Sequence, residues 1–170
     1  MSKNLEVVSV NLSTQKGTIK RPAERITIDS GGVRGDAHAG PWHRQVSLLS
    51  QESIDRFAGE MGRAIAPGEF AENITVRGLD SGSVAVLDRI RFSDAELEVT
   101  QIGKQCHGSG CAIFQQVGRC VMPAEGIFTR VVSGGTLAAG DRGEHVPRAF
   151  RIQILTLSDR AAAGQYEDRS

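Results

Sequence analysis

The three cysteines of the chain, Cys106, Cys111 and Cys120, all fall within residues 99–131, VTQIGKQCHGSGCAIFQQVGRCVMPAEGIFTRV. Cys106 follows an alternating run that reads as a strand and precedes Gly108-Ser109-Gly110, so a thiol sits at a strand end beside flexible backbone. Lys104 and His107 bring positive charge close to it. Cationic neighbours favour the thiolate, which is the nucleophilic and metal-binding form. Three thiols and one imidazole are also the inventory of a Cys₃His zinc site. The spacing speaks against that use: four residues separate Cys106 from Cys111 and eight separate Cys111 from Cys120. Adjacent Cys106 and His107 would also point to opposite faces of an extended chain. A reactive or cofactor-directed Cys106, a structural zinc and inert buried thiols are the three readings, and the first is the one the spacing favours.

Two further segments carry polar chemistry. Residues 31–49, GGVRGDAHAGPWHRQVSLL, combine glycines with Arg34, Asp36, His38, His43 and Arg44. Glycine at Gly35 and its neighbours lets ligand oxygens approach backbone N–H groups, and the arginines and histidines add donors, so this stretch reads as an anion pocket. A β-turn with Trp42 and His43 covering a barrel end is the plainer reading. A zinc pair is disfavoured, because His38 and His43 are five apart with Gly40-Pro41 between them. Residues 67–75, PGEFAENIT, place Glu72 and Asn73 just before a strand, where Glu72 could pair with Arg34 or Arg44; a solvated turn with one structural Asn is the plainer reading.

The elements that position these groups are mostly β. Leu5–Leu12, Glu24–Asp29, Gln45–Ser50, Asn73–Val76, Val84–Phe92, Glu96–Ile102, Ile127–Val132 and Gly143–Val146 are short alternating or β-branched runs bounded by turn residues. Ser93-Asp94 reads as a hairpin turn, and Ser133-Gly134-Gly135-Thr136 as another. Ser50 caps a helix over about Gln51–Gly62 whose buried face is Ile54, Phe57 and Met61, and a second short helix is expected within Cys111–Val117. So many short strands with so few helices predict a mainly β, closed or nearly closed barrel, since closure removes exposed edges. Glycine, 20 of 170 residues, supplies the turns.

Charge balances at 20 Lys+Arg against 20 Asp+Glu, so no positive field exists to track nucleic acid or an anionic membrane, and any anion site must be local. No apolar stretch reaches the length of a membrane span. The opening MSKNLEVVSV lacks a secretory layout, which leads us to expect a reducing cytoplasm where clustered thiols serve chemistry. From Phe150 the character changes to RIQILTL, a dense apolar strand. The expected organisation is one barrel domain over 1–147 and, over 148–170, a linker with the first strand of another unit.

Taken together, G-V-R-G-D-A-H, G-E-F-A-E-N-I-T, L-E-V-T-Q-I-G-K-Q-C-H and G-G-T-L-A-A-G-D, in that order between about Leu5 and Val146, resemble the MOSC domain, the module related to the C-terminal part of molybdenum cofactor sulfurases. The resemblance implies a barrel-like β fold and an essential cysteine, which falls on Cys106 and either receives sulfur as a persulfide or contacts molybdenum. It implies binding of the molybdenum cofactor or molybdenum ion, with Arg34, Gly35, Asp36, His38, His43 and Arg44 orienting phosphate or pterin and Glu72 and Asn73 bonding pterin amides or bracing the arginines. Lys104 and His107 would assist Cys106. The family is also described as binding pyridoxal phosphate, but no desulfurase-type domain is present in this chain, so that cofactor is assigned to a partner. The implied partners are a cysteine desulfurase as sulfur donor and the molybdenum cofactor or a molybdoenzyme as acceptor. Reduction of N-hydroxylated compounds, and non-catalytic cofactor binding, are the alternative activities. The tail is similar to the opening of molybdopterin adenylyltransferase-like proteins in Thr156, Ser158, Asp159, Arg160, Gly164, Asp168 and Ser170.

Overall fold

The computed structural model describes residues 3–105, 120–150, 152–153 and 163–165. In chain order its strands are β1 (Lys3–Leu12), β2 (Arg21–Ala23), β3 (Arg25–Asp29), β4 (Gly32–Val33), β5 (Val46–Ser50), β6 (Ile74–Arg77), β7 (Arg89–Phe92), β8 (Glu96–Ile102), β9 (Ile127–Ser133), β10 (Gly135–Ala138) and β11 (Arg142–Val146). Among the described residues there are two α-helices, α1 (Gln51–Met61) and α2 (Met122–Glu125).

Seven strands close into a barrel in the order β1-β11-β7-β8-β9-β5-β6 and back to β1. Closure depends on β1, whose first half pairs with β11 and whose second half pairs with β6. A register shift between Val7 and Ser9 bends the strand from one neighbour toward the other. Val7, Val46, Leu48, Ile74, Val76, Ile90, Leu97, Val99 and Ile127 fill the interior. β10, β3 and β4 form a separate small sheet. The mainly β barrel expected from the strand count is therefore the fold, because closing the sheet pairs edges that short strands would otherwise expose.

β5 and β6 are the parallel pair, so the chain must cross over between them, and α1 is part of that crossover. Ser50 caps α1 by accepting from Ser53 N at 3.0 Å, and Gly62 ends it. The apolar stripe of α1, Ile54 and Phe57, packs with Leu49, Phe70, Met122 and Phe128 in a second core outside the barrel. The Ser93-Asp94 turn forms as expected, with Phe92 N donating to Ala95 O.

Two expectations need correction. The run Val84–Phe92 is strand only over Arg89–Phe92, because Asp88 turns back to accept from Ala85 N at 2.8 Å. The proposed turn at Ser133–Thr136 is instead the passage from β9 into β10, which pairs with the distant β3. The helix expected within Cys111–Val117 lies outside the described residues, as do Thr156, Ser158, Asp159, Arg160, Asp168 and Ser170 of the tail. Among the described residues no helix is long and apolar enough to cross a membrane.

Candidate functional site

Asp36 organises the site. It sits just beyond β4, in a turn where Asp36 N donates to Val33 O, and its side chain is buried. Its Oδ2 accepts from Lys20 Nζ at 2.7 Å, Ser13 N at 3.1 Å and Asn73 Nδ2 at 3.2 Å, while Oδ1 accepts from His38 N at 2.9 Å. The His38 ring stands beside it, Nδ1 3.4 Å from Oδ1 but without hydrogen-bond alignment. Burial acts to raise the Asp36 carboxyl, yet His38 and the Lys20 ammonium outweigh it and hold the group below its ordinary range. Lys20 is pushed down by its own burial, with Asp36 and Glu72 opposing that push and Lys104 adding to it.

Asn73 links this hub to the barrel. Its Oδ1 accepts from Ser47 N and Oγ, and its Nδ2 also donates to Asn11 O at 3.2 Å. Such a fully satisfied amide holds its position without a loss of buried hydrogen bonds. The loop before it is set by Gly68, whose φ of 88° and contact with Lys20 O leave no room for a Cβ. Ala71 in the same loop takes a φ of 63°, a conformation that L-residues rarely adopt.

These groups border a cavity of about 220 Å³ whose wall includes Lys20, His38, Arg44, Asn73 and Lys104 on the polar side and Trp42, Ala71, Met122 and Phe128 on the apolar side. No described residue of the wall is acidic. The Arg44 guanidinium lies over the Trp42 ring at 4.8 Å and the Phe128 ring at 5.7 Å, held by cation–π attraction, and its buried Nε has no hydrogen-bond partner among the described residues. An ammonium carries three N–H donors. Among the described residues Lys20 Nζ, with its side chain 1% exposed, gives one of them to Asp36 and has no second acceptor. Buried donors left unpaired beside a cavity cost free energy until water or a ligand's oxygens meet them.

Lys104 follows the end of β8 and stands two residues before Cys106 in the chain. Gly103 N donates to Gly126 O at 2.7 Å and Lys104 N to Pro123 O at 3.1 Å, so the stems before and after residues 106–119 are tied together. α2 is fixed in turn through Glu125, which accepts from Ser53 Oγ at 2.5 Å and from Arg56 Nη2, both on α1.

The sequence pattern that defines the MOSC domain matches residues 35–144, more than half of the chain. The chain belongs to the MOSC domain family. The YUAD protein from Bacillus subtilis is similar in structure, with a TM-score of 0.74 and 22% identity over 87% of this chain and 99% of that one. YiiM from Geobacillus stearothermophilus gives 0.65 and 21%, covering 85% of this chain and 76% of that one. YiiM from Escherichia coli gives 0.62 and 20%, covering 89% and 73%. At these identities the likeness establishes the fold. No curated protein sequence matches the chain.

This MOSC domain gathers part of the residue set that its sequence suggests. His38, Arg44, Asn73 and Lys104 meet on the cavity wall, with Asp36 behind them. Arg34 does not join them: its side chain is 71% exposed and pairs with Asp29 on the outer surface. Gly35 forms an exposed turn, and His43 is exposed with Nε2 3.1 Å from Gln101 Oε1. Glu72 pairs with neither Arg34 nor Arg44. It is fully buried, its Oε1 accepting from Gly68 N at 2.5 Å and Thr75 Oγ1 at 2.9 Å, because the turn over residues 68–72 folds it inward. Cys106 and His107 lie outside the described residues, as does Cys111, and the described residues hold no group of three or more His, Cys, Asp or Glu suited to a metal.

Lys20, Ser47, Met122 and Phe128 were not singled out from sequence. Lys20 had one available signal, being one of only four lysines in the chain. MOSC domains as a family are tied to the molybdenum cofactor. The cationic donors here suit its anionic portion, and the Arg44 Nε and Lys20 N–H groups that have no partner among the described residues give that fit a physical basis.

Proposed function

We propose that this protein carries sulfur in molybdenum cofactor metabolism, with Cys106 as the sulfur-bearing thiol and the neighbouring cavity holding the anionic end of the cofactor. One observation supports this most directly: a cavity wall on which, among the described residues, there is no carboxylate, the buried Lys20 ammonium has a single acceptor and Arg44 Nε has none, beside the stem that Cys106 follows two residues after Lys104. Connectivity alone keeps the Cα atoms of Lys104 and Cys106 within about 8 Å.

In this reading Lys20, Arg44 and Lys104 hold the phosphate by charge-assisted hydrogen bonds, and Asn73 and Ser47, bonded to each other, brace the wall behind them. Asp36 keeps Lys20 protonated and aimed, acting through it without touching ligand. Trp42 and Phe128 keep Arg44 in place and shield the bound group from water. When bound, the cofactor supplies the metal that accepts sulfur. The Cys106 thiolate attacks the outer sulfur of a donor persulfide, the donor S–S bond breaks, and the donor leaves as thiolate while Cys106 becomes the persulfide. A cysteine desulfurase in a reducing cytoplasm is the proposed donor, and its own pyridoxal phosphate is the one we assign to the pathway. The molybdenum cofactor or a molybdoenzyme is the proposed acceptor.

Incubation of the full chain with a desulfurase and cysteine, followed by mass mapping of each thiol, tests the reading. The added sulfur is expected on Cys106 and is lost in Cys106→Ser. Sulfur only on Cys111 or Cys120, or undiminished loading in Cys106→Ser, would contradict it.

A further inference from the structure

Two buried carboxyl groups act on the Lys20 ammonium. Asp36 accepts from it at 2.7 Å, and those two charges cancel. Glu72 spends its hydrogen bonds elsewhere: Oε1 accepts from Gly68 N and Thr75 Oγ1, and Oε2 is buried with no hydrogen-bond partner among the described residues. It is nonetheless linked to Lys20 in two ways. Gly68, whose N–H it holds, accepts from Lys20 N at 2.8 Å and lies against Lys20 O, so the Glu72 carboxyl fixes the turn that clamps the lysine backbone. Its charge also acts on Lys20 through a buried region, where screening is weak.

The other groups around Glu72 do not offset its charge. Thr75 on β6 is neutral, as is Asn11 on β1, which donates to Thr75 Oγ1 at 3.4 Å, and Glu69 of the same turn is paired with Arg63 at 2.9 Å. With Glu72 protonated, Lys20 and Asp36 sum to zero and Arg44 and Lys104 leave the cavity wall cationic. With Glu72 ionised, Lys20 answers to two carboxylates, and the field that attracts an anion is weakened. We propose that Glu72 is a positioning residue that links anion binding in the cavity to a proton: the cavity holds its anion with Glu72 protonated and loses affinity when Glu72 ionises. The inference rests on the reading of the cavity as the anion-holding part of the site. Such linkage is reciprocal, so a bound anion holds the proton on Glu72 more tightly than the empty cavity does. Burial, which raises this carboxyl against its hydrogen bonds and Lys20, puts the change above the ordinary glutamate range.

Inorganic sulfate is the probe, because its charge is constant from mildly acidic to mildly alkaline buffer, and emission of Trp42, the sole tryptophan and part of the cavity wall, reports occupancy of the full chain. Wild-type affinity is expected to fall about tenfold as pH rises through the Glu72 transition, an ordinary strength for coupled sites. Glu72→Gln, which cannot ionise, is expected to bind with nearly constant affinity over the same range. Infrared difference spectra of the wild type need no variant: sulfate added within the transition is expected to strengthen the C=O band of protonated carboxyl. Equal affinity at every pH, or a carboxyl band that sulfate leaves unchanged, would overturn the inference and leave the anion reading standing. So would a decline that persists in Glu72→Gln at its original pH, which would belong to another wall group such as His38, or one displaced to lower pH, which would belong to Lys20 deprived of a supporting charge. Sulfate bound at no pH would overturn the anion-holding reading of the cavity itself.

Discussion

Lys20 Nζ and Asp36 Oδ2 lie 2.7 Å apart with both side chains 1% exposed, a buried ion pair at the edge of the cavity. Removing one member of such a pair strands the other charge away from water, which costs about 3–5 kcal/mol, whereas removing both is nearly neutral. Lys20→Met is therefore expected to lower unfolding free energy by about that amount in urea denaturation. Lys20→Met with Asp36→Asn is expected to recover most of the loss while still failing to bind the anion.

Glu72 gives a pH signature of defined sign. Burial raises its carboxyl, against the Gly68 N–H, the Thr75 hydroxyl and Lys20, and its buried Oε2 has no partner among the described residues. The folded state therefore holds this proton more tightly than the unfolded state, and stability falls as pH rises from the ordinary glutamate range through the raised value. Glu72→Gln keeps an acceptor for Gly68 N and cannot ionise. Its melting temperature is expected to fall less than that of the wild type between mildly acidic and mildly alkaline buffer. Asp36 works in the opposite sense: its contribution is present above the ordinary aspartate range and is lost as pH falls through its depressed folded value.

Arg44 and Arg34 separate the geometric site from the motif. Arg44 is stacked on Trp42 at the cavity and Arg34 faces outward on Asp29. Titration of Trp42 fluorescence with a phosphate monoester is expected to show about tenfold weaker binding in Arg44→Gln and little change in Arg34→Gln.

Gly103 carries the stem of the cysteine segment. Its φ is 68°, and a Cβ there would collide with Pro123 O, the atom that accepts from Lys104 N. Gly103→Ala is expected to cost at least about 1–2 kcal/mol from the backbone alone and to reduce Cys106 loading by more than the fraction unfolded, because Lys104 shifts with its stem. Comparing loading per folded molecule with a denaturation curve checks this.

The barrel was legible because strand signals are local: alternation in Glu96–Ile102 and the Ser50 cap act within a few residues. β10 was not, since Gly134-Gly135 reads as a turn and its strand character comes from pairing with β3, about a hundred residues earlier. The site divides in the same way. Asp36, His38, Arg44 and Asn73 stand in recognisable segments, whereas Lys20 lies in none of them and reaches Asp36, 16 residues away, only through the fold. Arg34 misleads for the converse reason, as motif position says nothing about which face of β4 its neighbour leaves on.

Whether Cys106 and the cation-lined cavity act as one site is tested most directly by protection of the thiol. Alkylation of Cys106 by iodoacetamide is followed by mass mapping while a phosphate monoester is titrated. The account predicts that alkylation slows as the cavity fills, with the midpoint reported by Trp42, and that Arg44→Gln shifts both midpoints together. Alkylation of Cys106 at one unchanging rate across a titration that saturates Trp42 would contradict it.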